Sequence, residues 1–138
     1  MNIPEHHPTK LLFICSRNRI RSLTAERIFT GISGLQVRSA GTQPSARIAL
    51  TEGHIGWADV IFFMEKSHLI RVCRRFPESL EGKRTIILLI PDDYEFMQPE
   101  LIDELHAKVS QYVAIPGDNP DNARIERKSS PRIGSRSR

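Results

Sequence analysis

Four short apolar runs recur along the chain, and helix-like segments fill the gaps between them. Residues 11–15, 35–40, 59–64 and 85–90 read as strands. The first, third and fourth are nearly unbroken apolar stretches, the pattern of strands covered on both faces. The second alternates weakly. Ser22 is placed to cap a helix running to about residue 30, with Ala25 and Phe29 stacked at i, i+4. A short helix is expected over 46–52. Another is expected over 67–76, with Leu69, Cys73 and Phe76 on one face and Pro77 stopping it. The last begins near Pro99, with Glu100, Asp103 and Glu104 at its positive end. Its apolar stripe is Leu101, Leu105, Val109 and Tyr112. Strand and helix thus alternate four times. That order predicts an α/β domain of three layers: a four-stranded parallel sheet with helices on both faces. Ligands of such sheets bind beyond the carboxyl ends of the strands.

Composition narrows the reading. A chain of 138 residues suits one compact domain. Its 2 cysteines cannot build a disulfide framework or a four-cysteine zinc site. No apolar run approaches the roughly 20 residues that cross a bilayer, and residues 1–10 carry no apolar signal segment. A cytoplasmic protein with no membrane partner is expected. The formal charge is +4 and the sequence pI about 9.4. Residues 117–138 hold six of the basic and three of the acidic side chains, which leaves 14 basic against 13 acidic in 1–116. The basic excess therefore belongs to a Ser/Arg/Pro-rich tail without periodicity, expected to be disordered. The expected organisation is a flexible leader over 1–9, the α/β domain over 10–116 and the tail over 117–138. A nearly neutral body is not a nucleic-acid binder by charge. A weak, salt-dependent hold of the tail on phosphate backbones is the one nucleic-acid alternative.

The chemistry is concentrated after the first strand: Cys15-Ser16-Arg17-Asn18-Arg19-Ile20-Arg21-Ser22. A cysteine, five residues, an arginine and a serine between a strand and a helix form an anion cradle. Successive backbone N–H groups curl around one centre, and the next helix directs its N-terminus there. Arg21 offers a planar, bidentate donor to phosphate oxygens. The positive field favours Cys15 as a nucleophilic thiolate, and Ser22 is placed to hydrogen-bond the sulfur.

With that loop, with Ala25-Glu26, Ser39-Ala40-Gly41-Thr42, Asp59-Val60-Ile61, Met64-Glu65 and Pro91-Asp92-Asp93-Tyr94, the sequence resembles the low-molecular-weight protein tyrosine phosphatases over residues 10–113. It resembles most a small bacterial branch described as predicted tyrosine phosphatases. The resemblance implies a phosphate loop after the first strand and a phosphocysteine on Cys15. Arg21 and the amides of Ser16, Arg17, Asn18, Arg19, Ile20 and Ser22 then hold the phosphoryl oxygens, and Asn18 orders the loop. An aspartate after the fourth strand acts as general acid: Asp92 first, Asp93 second. No metal or cofactor is implied. The implied partners are a phosphorylated protein or small aryl phosphate, and inorganic phosphate or sulfate in the loop.

The sequence departs from the family in places. Arg17 stands where the family usually has glycine, Ile20 where it often has a second cysteine, and Gln98-Pro99 where the branch often has Asp-Pro. Gln43-Pro44-Ser45 supplies no aromatic wall. Tyr94 and Phe96 stand equally as a wall from the other side or as ordinary packing. Two alternatives follow: a phosphate- or phosphoprotein-binding module of the same fold with impaired turnover, and arsenate reduction. The second commonly needs further cysteines, and only Cys73 remains, read as buried. His54, His68 and His106 lack mutual ligand spacing and are read as surface or capping positions.

Overall fold

A computed structural model describes residues 7–115. The expected tail lies outside the described residues, as does the expected leader up to residue 6. The elements are β1 (Thr9–Cys15), α1 (Arg21–Phe29), β2 (Leu35–Gly41), α2 (Glu52–Trp57), β3 (Val60–Phe63), α3 (Lys66–Arg75), α4 (Pro77–Leu80), β4 (Arg84–Ile87) and α5 (Pro99–Val109). The four strands form one parallel sheet in the order β2-β1-β3-β4. Its carboxyl edge gathers the ends of β1 and β2, where Cys15 pairs with Gly41.

The apolar runs explain the three layers. Alternate β1 and β3 residues face opposite sides, so both sides must be covered. Leu11, Phe13 and Phe62 pack with Ala25 and Phe29 of α1 and Leu101, Leu105 and Val109 of α5. Leu12, Ile14, Ile61 and Phe63 pack with Ile55 of α2 and Val72 of α3 on the other side. Phe13 stacks on Phe29 at 5.7 Å and on Phe62 at 4.9 Å between ring centroids. Among the described residues no helix is long and apolar enough to cross a membrane.

Several expectations are corrected. Residues 46–52 form no helix, because their backbone is bonded to the end of β2. Gly41 N–H donates to Ile48 O at 2.8 Å, and Leu50 N–H to Gly41 O at 2.9 Å. The helix starts only at Glu52. Cys73 is exposed. The buried side of α3 is His68 and Val72 at i, i+4, so the apolar face expected through Cys73 is turned by one position. Pro77 ends α3 but also opens α4 as its first residue, where a missing N–H costs nothing. Tyr112 lies beyond α5, whose apolar stripe ends at Val109. The fourth strand ends at Ile87, and Leu89 takes φ 60, a left-handed conformation rare for a branched side chain. Even so, Leu88 and Ile90 still bond to the edge of β3, through Phe63 O and Met64 O. The kink turns Ile90 O toward the loop after β1.

Candidate active site

Residues 16–20 cross from the end of β1 to the start of α1, and the segment after β2 clamps them. Thr42 N–H donates to Cys15 O at 2.9 Å, Gln43 N–H to Ser16 O at 3.0 Å and Arg47 N–H to Arg17 O at 3.0 Å. Three loop carbonyls are thereby turned away from the loop's centre. The approach requires Gly41, where a Cβ would lie 2.5 Å from Ala46 Cβ and 2.6 Å from Ser16 O. Asn18 supplies the sharp turn, with φ 58, and its N–H points back to Cys15 Sγ at 3.3 Å. Asparagine is among the residues that tolerate this left-handed region. The loop ends on α1, whose N-cap Ile20 gives no side-chain cap and whose first turn has no acid. No side chain of the cap satisfies its leading N–H groups, an arrangement suited to an anion.

Hydrogen-bond directions follow from the donors. Asn18 Nδ2 donates to Ser22 Oγ and to Ser39 Oγ, each at 2.8 Å. Ser22 Oγ, which accepts from Asn18 and keeps its own proton to donate, lies 2.9 Å from Cys15 Sγ. Ser39 Oγ–H donates to the Glu26 carboxylate. Arg47 closes the circuit on Asn18 O at 3.2 Å, with Glu26 at 3.9 Å. Cys15 is buried, and its sulfur receives the Asn18 N–H and lies against the Ser22 hydroxyl. Both groups are able to donate to negative charge on it.

Arg21 is also buried, and it is held from two sides. Its Nη1 donates to the Glu65 carboxylate and to Ile90 O at 2.8 Å. Its Nε lies 3.6 Å from Asp92 Oδ1. The hydrogen bond from Arg21 holds the Glu65 carboxyl below its ordinary range. His68 is the third residue of α3. Its Nδ1 accepts Glu65 N–H at 3.1 Å, and its Nε2 lies 3.0 Å from Ser16 Oγ. Burial, with the Arg21 charge beside it, lowers its pKa to about 4. His54 makes the same return bond to Thr51 N–H at the head of α2. Surface or capping positions were expected for both histidines; both cap, but His68 is buried against the loop.

These side chains surround a cavity of about 400 Å³ lined by Cys15, Ser16, Arg17, Arg19, Ile20, Arg21, Gln43 and Asp92. The fold of the chain is that of the low-molecular-weight protein tyrosine phosphatases. It is similar to SP-PTP, the low molecular weight protein tyrosine phosphatase from Streptococcus pyogenes. The TM-score is 0.63 at 13% identity, covering 84% of this chain and 97% of that one. It is similar to the tyrosine phosphatase Wzb from Escherichia coli K30 in complex with phosphate. There the TM-score is 0.60 at 21% identity, covering 75% and 95%. It is also similar to the YwlE arginine phosphatase from Geobacillus stearothermophilus, with a TM-score of 0.60 at 18% identity, covering 92% and 100%. No protein-family model and no curated protein matches the sequence.

The phosphatase fold brings most of the expected site residues to one place. Asn18 and Ser22 are buried behind the cavity wall, where they order the loop and reach the sulfur. Asp92 lines the cavity; Asp93 does not. Tyr94 is turned away: its hydroxyl donates to Glu104 at 2.6 Å and its ring packs against the α1–α5 core. Phe96 lies under the Arg27 guanidinium, 5.7 Å from its ring centroid. Among the described residues no aromatic side chain lines the cavity.

Proposed function

We propose that the chain is a cysteine-dependent phosphomonoester hydrolase acting on an aryl phosphate of the phosphotyrosine class. The observation that carries the reading is the Cys15 sulfur, which receives the Asn18 N–H and lies 2.9 Å from the Ser22 hydroxyl beside the buried Arg21. In the first step Cys15 Sγ attacks phosphorus. The S–P bond forms, the bond from phosphorus to the leaving oxygen breaks, and that oxygen takes a proton from Asp92. The loop amides and Arg21 follow the three equatorial oxygens into the transition state. In the second step Asp92 takes a proton from water as its oxygen attacks phosphorus. The S–P bond breaks, releasing inorganic phosphate and the thiolate. Ser22 O–H stabilises the departing sulfur.

Asp92 serves as the acid because it lines the cavity beside Arg21, on the chain leaving the fourth strand. Glu65 and Ile90 O act on Arg21, fixing its plane. Arg17 and Arg19 are exposed on the cavity wall with no ion-pair partner among the described residues. They favour an anionic substrate and repel the guanidinium that a phosphoarginine side chain carries, so tyrosyl phosphate fits the rim better.

The test is turnover of p-nitrophenyl phosphate in the presence of a chelator. Wild type should hydrolyse it, and Cys15→Ser should lose turnover while still binding phosphate. Hydrolysis that survives Cys15→Ser would overturn the proposal. Asp92→Asn should lower kcat for p-nitrophenyl phosphate less than for phenyl phosphate, whose poorer leaving group depends more on the acid.

A further inference from the structure

His68 is buried and titratable, and the catalytic sequence above leaves it without a task. Its two nitrogens are not equivalent. Glu65 N–H can only donate, so Nδ1 accepts and must be bare of a proton. The imidazole is then neutral with its proton on Nε2, and Nε2 lies 3.0 Å from Ser16 Oγ. A hydroxyl that accepts from His68 has its own proton left to donate. Ser16 lies next to Cys15 and lines the same cavity.

We propose that Ser16 and His68 together add a side-chain donor to the phosphate cradle. Held by Nε2–H of His68, the Ser16 hydroxyl points its proton at an oxyanion seated over Cys15. Ser16 touches the substrate, and His68 is a positioning residue acting through it. This rests on the phosphatase reading of the same loop. The surroundings of His68 agree with a fixed neutral ring. Burial opposes a second proton most, the Arg21 and Arg71 charges oppose it as well, and Glu65 and Asp92 favour it. A neutral ring cannot swap its donor and acceptor ends without breaking the bond to Glu65 N–H. The direction of the Ser16 proton is therefore set by the backbone at the start of α3.

The test is the affinity for inorganic phosphate and for vanadate, read by calorimetry, with p-nitrophenyl phosphate turnover alongside. Ser16→Ala should weaken oxyanion binding about tenfold, as expected for a lost donor to a charged group. His68→Asn keeps an acceptor for Glu65 N–H at the head of α3 but is too short to reach Ser16. It should weaken binding several-fold. His68→Gln spans both contacts and should restore most of the affinity. In Ser16→Ala, the His68→Asn change should add nothing, because its only route to the oxyanion is gone. Nitrogen NMR of the free protein should show Nε2 protonated and Nδ1 bare. Wild-type affinity in Ser16→Ala or in His68→Asn would overturn the proposal. Equal losses from His68→Asn with and without Ser16 would do the same, as would an Nδ1-protonated or doubly protonated ring. Absent turnover in the wild type would sink the phosphatase reading alone, since the binding and NMR results stand without it.

Discussion

Asn18 shows how much of the site one side chain can set. It is fully buried, it makes the left-handed turn, and its amide holds Ser22 and Ser39 at once. Asn18→Ala strains the backbone at φ 58 and removes the amide that holds Ser22 beside the sulfur. The expected cost is on the order of 2 kcal/mol in stability. The kcat for p-nitrophenyl phosphate should fall tenfold or more, and unchanged denaturation and kinetics would count against the network. His68 makes a separate prediction at this scale. Its pKa falls from 6.5 to about 4 on folding, so the unfolded chain binds the extra proton between those values. Its contribution to stability is complete above about 6.5 and is lost as pH falls toward 4. Urea midpoints measured across that window should drop more steeply for wild type than for His68→Asn; parallel curves would contradict the assignment. The sequence made Cys15, Arg21, Asn18 and Ser22 legible, since their spacing between a strand and a helix has few other uses. It could not reveal the bond between His68 and Ser16, which joins residues far apart in the chain through tertiary folding alone. Nor could it separate Asp92 from Asp93, because direction out of a kinked segment depends on Leu89.

At the scale of elements, the site is a junction of all four strand ends, with the chain beyond β3 bringing Glu65 to Arg21. β1 delivers the sulfur, β2 and the segment after it clamp the loop carbonyls, and the chain beyond β4 brings Ile90 O and Asp92 to Arg21. Gly41 lets the first two approach. Gly41→Ala would set a methyl group 2.5 Å from Ala46 Cβ and against the Ser16 carbonyl, where backbone must give way. A loss of about 2 kcal/mol and a larger loss of turnover are expected, as for overpacking in a tight core. A fully active Gly41→Ala enzyme would mean that the clamp is not needed. Strands were the most readable elements, because continuous apolar runs have few alternatives when both faces are covered. The segment over 46–52 misled because its composition suits a helix while its hydrogen bonds are taken by β2. Cys73 misled for a different cause: α3 is rotated so that His68 faces inward, which moves the thiol to solvent.

At the scale of the whole molecule, charge has two addresses. The body is close to neutral, while Arg17 and Arg19 stand on the cavity wall with no ion-pair partner among the described residues. Steering by exposed charges is screened by salt. The kcat/KM for a phosphotyrosine peptide should therefore fall with ionic strength, and Arg17→Ala with Arg19→Ala should flatten that dependence. An equal slope in the double variant would show that the two arginines do not guide substrate. The central claim is the covalent role of Cys15, and the most direct measurement is mass spectrometry of the chain acid-quenched during p-nitrophenyl phosphate turnover. The account predicts one phosphate on the peptide carrying Cys15, held through sulfur. Steady turnover with no phosphorylated enzyme, or with phosphate on another residue, would contradict it.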